Sequence, residues 1–428
     1  MAIPWLSEYT GQTTSVKYSF QILLGKMVQP SATSEGDTAV QYLNAASVQW
    51  HGIEADPGRT MWASPAEIRD LSIRPGDLLI CEGGDVGRSA IYSGPSGLIF
   101  QNSVHRARGY QGSDIRYLKY LLMSLHGSGW FDVLCNKATI AHLTVEKLGT
   151  IEIPQTPLDE QRRIADFLDA ETARIDFLSA SQLRMADVLD ERRVALTSHL
   201  VFGHDRDGDK RDSTIPAAGP IPSTWQVLRT KTFMREIMDL SENGDEELLS
   251  VSHLTGVTPR SEKNVNMFLA ESMVGYKRRR PGDLAINTLW AWMGALGVSR
   301  YSGILSPAYG IYRMTSGAVD GRYLDLLVRT PEYVAEMTRF SKGVWTSRLR
   351  LYPESFLSLS VPVPPLKEQR NIIEQIATET SEQLQLKSRL ESFANTLAER
   401  RQALITAAVT GQMDVTTAHG VTAGGITP

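Results

Sequence analysis

Two tandem α+β domains, each closed by a long helix, with the helices paired as an antiparallel coiled coil, are predicted by three features of this 428-residue sequence. Pro157-Leu158-Asp159-Glu160-Gln161-Arg162 returns as Pro365-Leu366-Lys367-Glu368-Gln369-Arg370. The same offset of 208 relates Glu191-Arg192-Arg193 to Glu399-Arg400-Arg401 and Gly203 to Gly411. Arg74-Pro75-Gly76-Asp77-Leu78 answers to Arg280-Pro281-Gly282-Asp283-Leu284, and Arg116-Tyr117-Leu118 to Arg322-Tyr323-Leu324, both at an offset of 206. From Asp159 to Gly203 there is no proline, and Gly203 is the first glycine. A drift of two residues across half the chain means a shared architecture, while the poor match between the motifs leaves the copies free to differ in target. The expected boundaries are 1–156 for the first variable domain, 157–203 for the first helix and 204–220 for a linker. The second domain follows at 221–363, the second helix at 364–411 and a flexible tail at 412–428.

Each variable domain contains short alternating apolar runs that read as strands. They are Leu78-Leu79-Ile80, Ser89 to Tyr92 and Leu148 to Ile153 in the first copy, and Leu284-Ala285-Ile286 and Phe356 to Val363 in the second. One helical stretch, Tyr117 to Leu125 or Tyr323 to Val328, completes each compact α+β unit. Arg-Pro-Gly-Asp fits a turn with Pro second and Gly third, leading into the strand at Leu78 or Leu284.

The long helices carry a narrow apolar seam. Heptads place Leu168, Ile175, Leu189 and Leu196 at a and Ile164, Leu178 and Met185 at d. The second copy places Ile376, Leu390, Leu397 and Leu404 at a and Ile372, Leu386 and Phe393 at d. Pro157 and Pro365 suit a first helical turn, and Gly203 and Gly411 a stop. A helix of this length spans roughly 65 Å. Glu171, Arg192, Glu379 and Arg400 also fall at d, where charge is costly unless paired. An antiparallel arrangement brings each Glu toward the other helix's Arg, which favours pairing within the chain over two separate amphipathic helices.

Between the helices, His204-Asp205-Arg206-Asp207-Gly208-Asp209-Lys210-Arg211-Asp212 followed by Pro216 and Gly219-Pro220 reads as a polar connector. Cys81 and Cys135 lack a metal-binding spacing and read as buried thiols of a reduced, cytoplasmic protein. No apolar run approaches the length of a membrane helix. Net charge is −4, but it is unevenly spread: residues 221–360 hold 17 Lys+Arg against 14 Asp+Glu, and residues 157–203 hold 6 against 9. A near-neutral chain can bind DNA when cations cluster on one face or a partner supplies phosphate contacts.

Catalytic signatures are absent from the sequence: there is no phosphate loop, no paired metal-ligand spacing, no nucleophile elbow and no tetrapeptide of the kind adenine methyltransferases use. Ser306-Pro307-Ala308-Tyr309 reads as a turn before a strand, and Gly83-Gly84-Asp85-Val86-Gly87 as a tight loop. The stretch with Gln101, Asn102, His105, Arg106 and Arg108 is the first candidate for base contact, because Arg suits guanine and Asn or Gln suits adenine in the major groove. The second copy offers Lys277, Arg278, Arg279, Arg300 and Arg313, with Lys342, Arg348 and Arg350 around Trp345.

Two variable domains, each closed by Pro-Leu-x-Glu-Gln-Arg and a long helix, resemble the DNA-specificity subunit of Type I restriction-modification systems. Ile221-Pro222-Ser223-Thr224-Trp225 is similar to that family's lead-in to the second recognition domain, and Ile3-Pro4-Trp5 is a shortened version at the first. The resemblance implies a non-catalytic chain whose domains each read half of a split site on double-stranded DNA, with the helices fixing the gap. It also implies two methyltransferase subunits using S-adenosylmethionine, and motor-nuclease subunits using ATP and magnesium, with no cofactor in this chain. The alternatives are a stand-alone endonuclease, which would need a metal-binding carboxylate cluster, and a coiled-coil adaptor that does not touch DNA.

Overall fold

The computed structural model of the protein describes residues 6, 9–54, 56, 58–135, 142–263, 272–345 and 348–415. The short lead-in Ile3-Pro4-Trp5 and residues 416–428 of the expected tail lie outside the described residues. The chain divides into two compact units, Met1–Leu183 with Glu391–Pro428, and Arg184–Leu390. Both divisions fall inside the long helices rather than at the variable-domain boundaries.

The first unit is built on a four-stranded antiparallel sheet, in the order Phe20–Leu24, Val104–Gly109, Leu78–Cys81, Ser89–Ile91. Strand Leu78–Cys81 is buried on both faces. Its two-residue period sends Leu78 and Ile80 into one core and Leu79 and Cys81 into another. The first core is covered by helix Ile115–Gly127, capped by the Asp114 side chain, which accepts the Arg116 N–H. The second core contains the three-stranded sheet of Thr60–Ala63, Thr38–Leu43 and Ile99–Phe100. Cys81 and Cys135 are both free and buried, and burial raises the pKa of each thiol.

The second unit has the same sheet order: Met234–Glu236, Tyr309–Met314, Leu284–Asn287, Leu296–Val298. Leu284 and Ile286 again face one core and Ala285 another. Two expected strands are shorter than the apolar pattern suggested. Only Glu152–Pro154 and Ser360–Val363 are extended, and Val145–Thr150 and Pro353–Ser358 before them are helical. Local start signals override alternation: Thr144 accepts the Lys147 N–H, and Pro353 occupies the first turn. The connector is likewise less free than its polarity suggests. Lys210–Asp212 pairs with Pro220–Pro222, and Ile215 and Ala218 join the core of this unit.

The long helices run over Leu158–Val201 and Leu366–Val409. The first unit's core takes Ile164 and Leu168 from the first helix and Ile405, Ala408 and Val409 from the second. The second unit's core takes Leu200 and Val201 from the first helix and Ile372 and Ile376 from the second. Inside each unit, therefore, the beginning of one helix meets the end of the other.

The seam matches the heptad reading at d where Ile164 and Ile372 are buried, and departs from it at other layers. The a positions Leu168, Ile175, Ile376, Leu390 and Leu397 are buried, whereas Leu189, Leu196 and Leu404 are half-buried. At d, Met185, Leu386 and Phe393 are exposed and Leu178 is half-buried. At four layers the residue one place later goes inside instead: Thr172, Ala186, Ala394 and Ala408. Small side chains there permit close backbone approach and turn the bulkier neighbour outward. Arg192 and Arg400 are exposed, so the expected layers with Glu379 and Glu171 do not form. Ion pairs form instead between Asp176 and Arg401 at 2.8 Å in the first unit, and between Asp190 and Lys387 in the second.

Candidate nucleic-acid interface

At one end of each sheet, the Arg-Pro-Gly-Asp turn ends in a buried carboxylate. Gly76 and Gly282 adopt φ of 92° and 86°, which the turn requires at its third position. Asp77 accepts the Arg74 N–H at 2.9 Å, and both its oxygens receive the Arg108 fork at 2.6 and 2.7 Å. Asp283 repeats this with the Arg280 N–H at 2.8 Å and the Arg313 fork at 2.7 Å twice. The turn is scaffolding, and Arg108 and Arg313 are part of it.

Several other expected DNA contacts are also committed inside the domains. His105 is fully buried, its Nε2 lies 2.5 Å from the Leu143 carbonyl, and burial lowers its pKa. Arg106 is buried, donates to the carbonyls of Asp70 and Ser72, and lies over the Phe100 ring. Lys277 donates to the Tyr309 carbonyl at 2.7 Å. Arg279 donates to the carbonyls of Arg280 and Asp283, and burial holds its pKa down at about 10. Arg278 is half-exposed but binds Glu246 at 2.6 Å. A buried cation of this kind satisfies backbone acceptors that the sheet leaves over, so it cannot also reach a base edge.

The opposite end of each sheet gathers three loops. Glu82 donates its N–H to Ser103, and Leu143 donates to Glu82, so the loop 82–88 lies between the turn Gln101–Ser103 and the segment ending at Leu143. In the second unit, Thr288 donates its hydroxyl to Ala308 and Leu351 donates its N–H to Thr288. Gln101 and Asn102 are half-buried at the tip of this end in the first unit, and residues 136–141 are outside the described residues. The glycine-rich loop is tight as expected, for a Cβ on Gly87 would lie 2.2 Å from the Phe131 ring. In the second unit, Tyr309 donates to Ser306, closing the anticipated turn.

Lys342, Arg348 and Arg350 are exposed on a small hairpin at this end, as is Trp345; Arg300 is also exposed. Lys342 and Arg350 exchange both backbone hydrogen bonds at 2.9 Å. Trp290, half-exposed on the neighbouring loop, is a surface aromatic that sequence reasoning missed. Its signal is weak, a tryptophan in a stretch with neither helical nor strand period.

The opposite pole of each domain is tied to the helices by the repeated motifs. Gln161 accepts the Asp114 N–H at 2.9 Å and donates to the Thr156 carbonyl at 2.7 Å. Gln369 accepts the Asp320 N–H at 2.7 Å and donates to the Ala318 and Pro364 carbonyls. Glu368 receives the Trp225 indole N–H at 3.1 Å, and Arg206 at the same distance. Tyr117 donates to the Val409 carbonyl at 3.3 Å, and Tyr323 to the Val201 carbonyl at 3.1 Å. Each variable domain thereby holds the last turn of the other copy's helix. Gly203, with φ of 65°, ends that turn where a Cβ would strike Pro222 and Trp225 at 2.8 Å.

The fold is thus a duplicated α+β domain whose loops gather at one sheet end and whose other end is tied to the long helices. Residues 65–183 match the family model of the Type I restriction modification DNA specificity domain. The fold is similar to a chain from a structure of complex assembly and conformational transition of the type I R-M system. Identity there is 17%, with 94% of this chain and 98% of that chain covered and a TM-score of 0.68. It is also similar to the HsdS subunit from Thermoanaerobacter tengcongensis, at 17% identity, 94% and 97% coverage and a TM-score of 0.51. At such identities the likeness is one of fold. No curated protein matches the sequence.

Proposed function

We propose that this chain is the DNA-recognition subunit of a Type I restriction-modification complex. Each variable domain reads one half of a bipartite duplex site through the three loops at its free sheet end. The observation that carries this reading is the duplicated sheet with different loops on the same end, three of whose four strands in the first copy lie within the matched residues 65–183. The candidate contacts are Gln101 and Asn102 in the first domain, and Lys342, Arg348 and Arg350 in the second; Arg300 follows Ser299, which bonds to Gly282 and Asp283 at the other end of the sheet.

The two long helices set the spacing of the half-sites and, with the domains, dock two methyltransferase subunits. Methyl transfer from S-adenosylmethionine, and cleavage driven by ATP and magnesium on motor-nuclease subunits, belong to those partners; this chain contributes recognition and no chemistry. Methylome sequencing of cells co-expressing the chain with its methyltransferase tests the reading. A split methylated motif is expected, and replacing residues 1–156 with another specificity subunit's first domain should change one half of it only. No methylated motif, or a change in both halves, would overturn the proposal.

A further inference from the structure

The second domain carries, on its loop-bearing side, a hairpin that exposes Val344 and Trp345; Thr346 and Ser347 after them are outside the described residues. Lys342 and Arg350 close it, and the Arg348 N–H donates to the Trp345 carbonyl at 2.8 Å. Its base is fixed: Leu351 is buried in the core and donates its N–H to Thr288. Gly343 keeps the strands close, because a Cβ there would sit 2.6 Å from the Arg348 carbonyl oxygen. On this firm base Val344 is 92% and Trp345 69% exposed. From Ser341 to Leu351 there is no acidic residue, and among the described residues Lys342, Arg348 and Arg350 make no ion pair. The adjoining loop adds Trp290, 50% exposed and stacked on Trp292 at 6.2 Å and 16°.

We propose that this hairpin is a wedge: the three cations seat it on the phosphates of the second half-site, and Trp345 inserts into a base step and stacks on an exposed base. The argument rests on what each part of the hairpin gains. Cations gain from a polyanion. Indole and isopropyl groups at the tip gain nothing from phosphate, whereas the faces of bases are broad apolar surface that becomes available when a step is opened. An aromatic held outward on a rigid, cation-flanked hairpin suits that use.

The inference rests on the DNA-reading role, and its test separates the two. The full chain assembled with its methyltransferase subunits is added to duplexes that carry the motif given by methylome sequencing. 2-Aminopurine replaces each purine of the second half-site in turn. Binding should raise the fluorescence several-fold at one purine beside the opened step, other than the adenine that the methyltransferase methylates. Trp345→Ala should abolish the rise and weaken binding about tenfold to a hundredfold, and Trp345→Phe should retain most of both. If the wild-type complex binds the motif with no rise at any such purine, or if Trp345→Ala keeps the rise, the wedge is wrong while the reading role stands. Weaker binding by Trp345→Ala from a wild type that shows no rise marks a groove contact and also overturns insertion. Loss of the methyltransferase from Trp345→Ala on size exclusion reassigns the hairpin to a protein contact. If the wild-type complex fails to bind the motif, the reading role itself falls.

Discussion

At the scale of single residues, the pairs Asp77–Arg108 and Asp283–Arg313 decide which cations face inward. Each Asp is almost fully buried and serves three donors, one from the turn backbone and two from the fork. Removing the Arg of such a pair leaves a buried carboxylate at a cost of about 3 to 5 kcal/mol, and removing the Asp deprives the Arg fork and the turn's N–H of their shared acceptor. Asp77→Ala should therefore lower the thermal midpoint of the first unit markedly. The exchange Asp77→Arg with Arg108→Asp should fail to restore it, since Arg cannot accept the Arg74 N–H; restoration in a calorimetric scan would show that the fork alone matters.

His105 gives a second residue-scale expectation. Burial lowers its pKa below the ordinary 6.5, so the folded state favours neutral imidazole, accommodating the buried Nδ1 that has no partner. Its stabilising contribution is complete above pH about 6.5 and is lost as pH falls through the lower folded value. The first unit should therefore melt at a lower temperature as pH falls below about 6.5. In His105→Gln that part of the pH dependence should disappear, as followed by melting curves at stepped pH.

At the scale of elements, the seam is a layer of small residues alternating with leucine or isoleucine. Ala186 and Ala394 are buried, while Met185, at 52% exposure, and Phe393, at 49%, point outward. Enlarging a packed alanine forces its neighbours off their rotamers at a cost of about 1 to 3 kcal/mol. Ala186→Leu and Ala394→Leu should thus destabilise, and Met185→Ala and Phe393→Ala should change stability by no more than about 0.5 kcal/mol. Urea titrations that reversed this order would restore the d-position seam. The helices and their ends were legible because proline, glycine and a long apolar period are local signals. The choice between neighbouring residues for the seam was not, since a heptad count places Met185 and Ala186 only one step apart and the decision belongs to whatever packs against them.

The same limit explains the candidate site. Arg-Pro-Gly-Asp could be read as a turn because each residue acts within the motif, and the duplication gave two domains of one design. Arg106, Arg108, Lys277 and Arg279 looked like DNA contacts because a cation in a short apolar strand gives no local hint of its acceptor. Asp77 lies 31 residues before Arg108, and Asp283 lies 30 before Arg313. Lys342, Arg348 and Arg350 stayed outside because their hairpin projects past the sheet end, a placement only the fold supplies.

At the scale of the whole molecule, the proposed spacing role makes an arithmetic prediction. Seven residues, one seam repeat, add about 10 Å to a helix while nearly preserving which face is buried. Inserting seven helix-forming residues after Ala180 and the same seven after Ser388 should lengthen the gap in the methylated motif by about three base pairs, at about 3.4 Å each. The insertion in one helix alone should abolish methylation. An unchanged gap with full activity, read by methylome sequencing, would show that the helices do not measure the site.

The hydrogen bond from Tyr117 to the Val409 carbonyl also bears on the order of synthesis. A ribosome adding roughly 5 to 20 residues per second finishes the sheet of the first unit long before it reaches Ile405, Ala408 and Val409, which complete that unit's core. For some tens of seconds the emerging domain must wait with an uncovered apolar face. A chain released early never acquires the cover. Chains truncated after Glu399 should accordingly leave the first unit open to limited proteolysis, where the full chain resists it. Messages cut short would then yield protein that is degraded rather than a half-finished reader competing for DNA and for partners.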